Sequence, residues 1–249
     1  MALNSLTMVE TGGSIFIALA LVVMLLALIP VCLLYIRKVA ASAILNGLKV
    51  LCLFVICQYL ALLFIQPSLP ALQIAFKLAQ FTLVYYLFNL IMTSAQGKNI
   101  MKMVLVSFLS VIITIYALKG LTAYTDVLTI IQAGILTVLA IAVLLQLINN
   151  RHIVLASEPA FWIAGGLLCY NGMLVLMEAM AGSHSNVSQQ IQQEKTLIIT
   201  TADIMRMGFF IVAASVAGKK DGHNNNNDTD THPLPPFLTP QVNRRSIKY

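Results

Sequence analysis

Long apolar runs separated by short polar connections dominate the chain up to about residue 217. Each run reaches or nearly reaches the about 20 residues that a helix needs to cross a bilayer. The runs do not alternate with a period of two, as the strands of a membrane β-barrel would, and helices satisfy their own backbone hydrogen bonds in lipid. We therefore predict an all-α integral membrane protein, a bundle of seven transmembrane helices. The predicted spans are about 14–36, 43–65, 71–95, 100–118, 126–148, 161–181 and 197–217.

Polar segments flank this predicted transmembrane domain of residues 14–217. Residues 1–13 carry no Lys or Arg, whereas a signal peptide begins with a basic segment. They are predicted to be an external segment before a retained first helix. The polar connection 182–195 is expected to continue helix 7 outward. Residues 218–249 are rich in polar residues and proline, which predicts a disordered cytoplasmic tail.

Composition agrees with a membrane protein. The 249 residues are 59% hydrophobic and 10% charged, whereas soluble domains are about 45–50% apolar and about 25% charged. Such a chain cannot cover itself with a water-compatible surface. A soluble enzyme, a secreted disulfide module and a nucleic-acid-binding protein are therefore excluded, and the lipid bilayer is the expected partner.

The net charge of +6 arises mostly from basic residues at one set of helix ends, and these indicate how the chain is oriented in the membrane. Of the fifteen basic residues, only Lys119 and Lys195 lie at one set of helix ends, and the opposite set is strongly basic. Because basic connections face the cytoplasm, the N-terminus is predicted to lie outside and the C-terminus in the cytoplasm. The protein is expected in the bacterial inner membrane. The ten basic residues at the predicted cytoplasmic ends are Arg37, Lys38, Lys98, Lys102, Arg151, Lys219, Lys220, Arg244, Arg245 and Lys248.

Motifs for cofactors and common catalytic sites are missing from the sequence. The four cysteines lie within the spans without a CxxC spacing, and the four histidines lie in connections or the tail. Metal sites and intramembrane haem need closely spaced or helix-borne ligands. No glycine-rich phosphate loop, HExxH or GxSxG motif is present. We expect no cofactor and no metal, and we assign no catalytic residue.

Ionisable residues inside spans are the most informative positions, because each costs about 2.5–3.5 kcal/mol to insert. Five are present. Lys49 is close enough to the predicted cytoplasmic edge for its ammonium to reach the interface. Lys77, Glu178, Asp203 and Arg206 all fall in the predicted outer half. Asp203 and Arg206 are three residues apart on one helix and can pair directly.

Neighbouring amides extend the same helix faces. Gln80 follows Lys77 by three residues, and Asn171 precedes Glu178 by seven. One interpretation is a structural group of ion pairs and hydrogen bonds that fixes helix packing. The other is an outward-facing pocket for a small polar ligand, in which Arg206 or Lys77 binds an anion. The predicted polar cluster consists of Lys77, Gln80, Asn171, Glu178, Asp203 and Arg206.

Helix 6 carries a short motif. Gly165, Cys169 and Gly172 form a small-residue stripe, which predicts close helix packing. The run Glu-Pro-Ala-Phe-Trp-Ile-Ala-Gly-Gly-Leu-Leu-Cys-Tyr-Asn-Gly (158–172) resembles a motif of small seven-helix integral membrane proteins of Bacteroidetes. The layout of residues 15–217 is similar as well.

That resemblance implies a sensor-like protein that passes signals to a membrane partner such as a histidine kinase, and it implies no catalytic residues. The chain departs from the family pattern at Gln58 and Gln80, where acidic residues are expected, and at Asp203, where Asn is more usual. These departures put a shared charge-based mechanism in doubt.

The preferred functional prediction is a sensor-like or accessory component that acts through a partner, because the sequence contains no output domain. The alternative is a small transporter or channel subunit that uses the outer charged cluster. Against it, the sequence shows no clear inverted repeat and no matching pair of helices broken by Gly or Pro. A membrane enzyme is the third interpretation.

Overall fold

The protein is an all-helical bundle in the computed structural model, which describes residues 2–37, 42–64, 70–119, 125–149, 154–182 and 189–224. These ranges contain seven long helices and no strand. Each helix has a stretch long and apolar enough to cross a membrane, so the prediction of an integral membrane protein with seven candidate spans is confirmed. The helices are α1 (Ala2–Ile36), α2 (Ala43–Phe64), α3 (Pro70–Ile91), α4 (Ala95–Lys119), α5 (Thr125–Asn149), α6 (Pro159–Gly182) and α7 (Gln189–Asn224).

Helix ends differ from the predicted spans where the sequence becomes polar. α1 already begins at Ala2, within the segment predicted to precede the first span, and α4 begins at Ala95. α7 begins at Gln189, as expected if the polar connection continues that helix, and extends to Asn224. It therefore includes the first seven residues of the predicted disordered tail; residues 225–249 lie outside the described ranges. A 36-residue helix is about 54 Å long, well beyond the roughly 30 Å of hydrocarbon.

Six helices form a closed ring. Around it, α1 packs on α2, α2 on α3, α3 on α5, α5 on α6, α6 on α7, and α7 on α1. α4 lies outside the ring against α5, and its Phe108 ring contacts Phe81 of α3 at a centroid distance of 4.1 Å. Only 11% of the α4 span is buried. Its Ser110 and Thr114 hydroxyls donate to the carbonyls of Val106 and Ser110, four residues back, so these polar groups are satisfied within the helix.

The two ends of the ring have different interiors. We call the end at which α2 ends and α3 begins the cavity end, and the other the basic end. Toward the basic end the interior is filled with apolar side chains that are at most 1% exposed. They come from α2, α3, α5, α6 and α7 and include Leu48, Leu51, Leu87, Phe88, Val143, Ile163, Ala164, Phe210 and Ala214.

One glycine contact sets the approach of α6 to α7. A methyl group added at Gly166 would lie 2.8 Å from Phe209 Cβ and 3.3 Å from the Arg206 carbonyl oxygen. The predicted small-residue stripe is only partly correct. Gly165 does face Phe209, but Cys169 is exposed, and a methyl group at Gly172 would meet no atom of the described chain within 4 Å. Successive residues of a helix are rotated by about 100°, so Gly166 lies against α7 whereas Cys169 and Gly172 point away from it.

Candidate functional site

A buried ion pair lies on α7 in the interior of the bundle. The Arg206 Nη2 atom contacts the Asp203 Oδ1 atom one turn earlier, so the predicted pairing of these two residues is confirmed. Arg206 is 1% exposed and Asp203 4% exposed. Two charges removed from water are stable only when other groups satisfy them. The residues around the pair are therefore part of the site.

Two tyrosines from neighbouring helices supply such contacts. The Tyr59 hydroxyl of α2 donates a 2.7 Å hydrogen bond to Asp203 Oδ2. The Tyr170 ring of α6 lies against Arg206, with its centroid 4.0 Å from Cζ, well within the range of a cation–π interaction. The network of Tyr59, Tyr170, Asp203 and Arg206 therefore connects three helices, and we call it the central network.

Arg206 nevertheless has unused donors. Its Nε and Nη1 atoms are buried and have no hydrogen-bond partner within the described part of the chain. A buried donor without an acceptor costs about 1–3 kcal/mol, and more when it is charged. The guanidinium can therefore donate hydrogen bonds to a further acceptor group.

A cavity of about 260 Å³ lies beside this network, toward the cavity end. Five helices (α2, α3, α5, α6 and α7) contribute to its wall. Only Ala133, Leu174 and Ile199 are apolar among its lining residues. The others are the polar residues Gln58, Lys77, Gln80, Thr129, Gln132, Tyr170, Asn171, Glu178 and Lys195.

Hydrogen bonds hold much of this wall in place. Lys195 Nζ lies 2.8 Å from Glu178 Oε2 in a salt bridge between α7 and α6. Lys77 Nζ of α3 donates to Thr129 Oγ1 of α5 over 2.6 Å. In return, Gln132 Nε2 of α5 donates to the Lys77 carbonyl oxygen over 3.0 Å. The three charged residues of the wall, Lys77, Glu178 and Lys195, are thus fixed by contacts between helices.

Tyr170 joins the cavity to the central network. It lines the cavity, its hydroxyl lies beside Gln80, and its ring face contacts Arg206. Asp203 and Arg206 are not among the described residues that line the cavity. The Tyr170 side chain is therefore the contact between the polar space and the buried ion pair.

The structure divides the predicted polar cluster into these two groups. Lys77, Gln80, Asn171 and Glu178 share one cavity, whereas Asp203 and Arg206 form the central network. Asp203 and Arg206 pair with each other. Glu178 is paired with Lys195 instead.

Several residues of the site were not part of the predicted cluster. Lys195 was predicted to lie in an external connection, because the apolar run of the last helix begins two residues after it, at residue 197. Thr129 and Gln132 are neutral and were not predicted as site residues, because the predicted cluster consists of charged residues and of the amides on the same helix faces. Their spacing of three residues on one helix face is the signal that could have identified α5. Tyr59 has no distinguishing sequence signal, since tyrosine is equally common in ordinary packing.

The cavity is suited to binding a small polar molecule. Its volume lies just below the range of about 300–1,000 Å³ for drug-sized ligand pockets. No group of three or more potential His, Cys, Asp or Glu metal ligands occurs within the described ranges. Toward the basic end the space is closed by Tyr170, the buried ion pair and the apolar interior.

Comparison with known proteins identifies no relative. No family model matches the sequence, and no curated protein or solved structure is significantly similar to it. The function must therefore be inferred from the geometry of the cavity and the central network.

Proposed function

We propose that the protein is a sensor-like membrane component that binds a small polar solute from outside the cell and passes the binding event to a partner. The observation that carries this proposal is a polar cavity at one end of the bundle that ends at a packed apolar interior. Such a cavity supports binding. A channel would need polar surface across the whole membrane thickness.

The outward orientation of the cavity is part of the proposal. Ten of the fifteen Lys and Arg residues belong to connections and a C-terminal segment that the sequence predicts to be cytoplasmic, because basic connections favour the cytoplasmic side. The cavity end then faces outward, and in a bacterial inner membrane it would meet solutes before the cytoplasm does. A fluorescent-protein fusion and an alkaline-phosphatase fusion at the C-terminus test this. A dark fluorescent protein together with an active phosphatase would show that the C-terminus lies outside and that the orientation is the opposite of the one proposed.

α7 provides a route from the cavity to the opposite side. Its Lys195 and Ile199 line the cavity, and the same helix extends to Asn224 beyond its apolar span. Near the basic end the Arg37 Nη1 atom donates to the Ser215 carbonyl oxygen over 2.8 Å, which connects α1 to α7. A shift of α7 at the cavity would therefore reach a partner at the basic end. A histidine kinase is the proposed class of partner.

Binding can be tested without knowing the natural solute. The full-length chain in lipid nanodiscs is screened by thermal shift against amino acids, small sugars and organic acids. Leu174→Trp fills the cavity from its apolar wall. Leu176→Trp is the matched control, since Leu176 is on the same helix but 61% exposed. Stabilisation that survives in Leu176→Trp and is lost in Leu174→Trp supports the site.

Transport is the competing outcome of this experiment. Uptake of the stabilising solute into proteoliposomes that contain only this chain would overturn the sensor proposal in favour of a transporter. Equal stabilisation of both tryptophan variants would place the binding outside the cavity. Co-purification of a kinase from native membranes, reduced by Leu174→Trp in the presence of solute, would support signal transfer.

A further inference from the structure

The donors of Arg206 point to the chemical class of the solute. Arg206 is 1% exposed, and its Nε and Nη1 atoms have no acceptor within the described ranges. Asp203 occupies only its Nη2 atom. A guanidinium with open N–H groups binds carboxylates and phosphates in preference to neutral acceptors, because the hydrogen bonds are charge-assisted.

Within the described part of the chain, the Tyr170 ring connects this guanidinium to the cavity. The Tyr170 ring centroid is 4.0 Å from Arg206 Cζ, and Tyr170 is also part of the cavity wall. Arg206 is not among the described residues that line the cavity, so an anion in the cavity would reach the open donors only if the Tyr170 side chain moved. Two further cations, Lys77 and Lys195, line the same space, and Glu178 is the one carboxylate among its described lining residues.

We propose that the solute is a small organic anion whose acidic group reaches Arg206 when Tyr170 moves aside. This inference rests on the proposed function, because it names the ligand class of the same cavity. It assigns Arg206 as a deep anion subsite and Tyr170 as its movable cover. The lining lysines would attract the anion to the cavity, and Arg206 would select it.

The fluorescence emission of Trp162 can report movement of Tyr170. Trp162 is the only tryptophan of the chain, and its ring lies 5.9 Å from the ring of Phe209, one turn after Arg206 on α7. Gly166, between Trp162 and Tyr170 on α6, is in close contact with that same Phe209 side chain. Loss of the contact between Tyr170 and Arg206 is therefore expected to alter the Trp162 emission.

The probe is acetate, with acetamide as its neutral counterpart of nearly equal size. Both are titrated at constant ionic strength into the full-length chain in nanodiscs, and binding is followed by thermal shift and Trp162 emission. Acetate is expected to bind roughly tenfold more tightly than acetamide, as one charge-assisted contact implies. Equal binding of the two probes would overturn the anion inference and leave solute binding by the cavity intact.

Variants identify the group that selects the anion. The double variant Asp203→Asn with Arg206→Gln removes both charges together, so no unpaired charge is left behind. It is expected to bind acetate and acetamide equally. Arg37→Gln removes an arginine near the basic end and should leave the preference unchanged. A preference for acetate that persists in the double variant would show that Arg206 is not the subsite.

Variants of Tyr170 test whether this side chain covers Arg206. This test remains valid even if the double variant does not fold. Tyr170→Ala exposes Arg206 to the cavity and should tighten acetate binding, because the rearrangement is no longer needed. Tyr170→Phe keeps the ring over Arg206 and should show no such gain. Equal acetate affinity in both variants would overturn the role of Tyr170. If neither acetate nor any solute of the screen binds even the wild type, the proposed function itself fails.

Discussion

Replacement of Arg206 by glutamine should destabilise the protein strongly, and a second substitution should reverse much of the loss. Arg206→Gln leaves the Asp203 carboxylate 4% exposed, with the Tyr59 hydroxyl as its remaining hydrogen bond in the described structure. A buried carboxylate without its cationic partner is poorly solvated. Asp203→Asn in the same chain removes that charge and restores a neutral, hydrogen-bonding pair.

The structure sets the size of this effect. Removal of one partner from a buried ion pair costs about 3–5 kcal/mol, and loss of a desolvated cation over Tyr170 adds about 2 kcal/mol. The double variant loses both charges, whose mutual attraction is largely offset by their own desolvation. It should therefore be at least about 2 kcal/mol more stable than Arg206→Gln alone.

The measurement is a double-mutant cycle of the free energy of unfolding, obtained by steric trapping or SDS titration in lipid bicelles. Tyr59→Phe tests the other side of the carboxylate and should cost about 1.5–3 kcal/mol, since its hydroxyl donates to a charged acceptor. An Arg206→Gln variant within about 1 kcal/mol of wild type would contradict a buried, interacting pair. Purely additive losses in the double variant would do the same.

Two other predictions concern helix contacts. Gly166→Ala should lower the free energy of unfolding by about 1–3 kcal/mol, as overpacking does, because the methyl group would lie 2.8 Å from Phe209 Cβ. Gly172→Ala meets no described atom within 4 Å and should be neutral or slightly stabilising; equal losses at both glycines in the same assay would refute the packing argument. Lys195→Gln should cost about 1–2 kcal/mol, because its partner Glu178 has a side chain only 7% exposed, between the values for surface and buried pairs. A Lys195→Gln thermal midpoint identical to that of wild type would contradict this estimate.

The sequence predicted the helices well because the thickness of the bilayer determines how long an apolar run must be. A run of about 20 apolar residues has few other stable solutions, and all seven spans correspond to helices of the structure. Helix ends were harder to predict. Hydropathy marks where lipid ends, whereas a helix ends where its backbone hydrogen bonds end, so Gln189 and Asn224 bound a helix much longer than its apolar run.

The site was predicted in part for a related reason. Charged residues in apolar runs are conspicuous because insertion penalises them, and all six residues of the predicted cluster lie in the cavity wall or the central network. Neutral residues such as Gln132 and Tyr59 give no comparable signal. The order of helices around the ring, which brings α5 beside α3 and α6, is also not encoded in any local pattern. The partners from α2 and α5 therefore required the structure.

The two groups of residues bear differently on the two interpretations of the intramembrane charges. Asp203 contacts both Arg206 and Tyr59, as a structural role requires. The cavity wall is different, because polar groups such as Gln80 and Asn171 surround a space of about 260 Å³. Interiors are normally packed to the density of organic crystals, and apolar side chains would fill such a space at lower cost than polar ones. Helix packing alone does not account for a polar cavity at this position, whereas a polar solute would satisfy its lining groups.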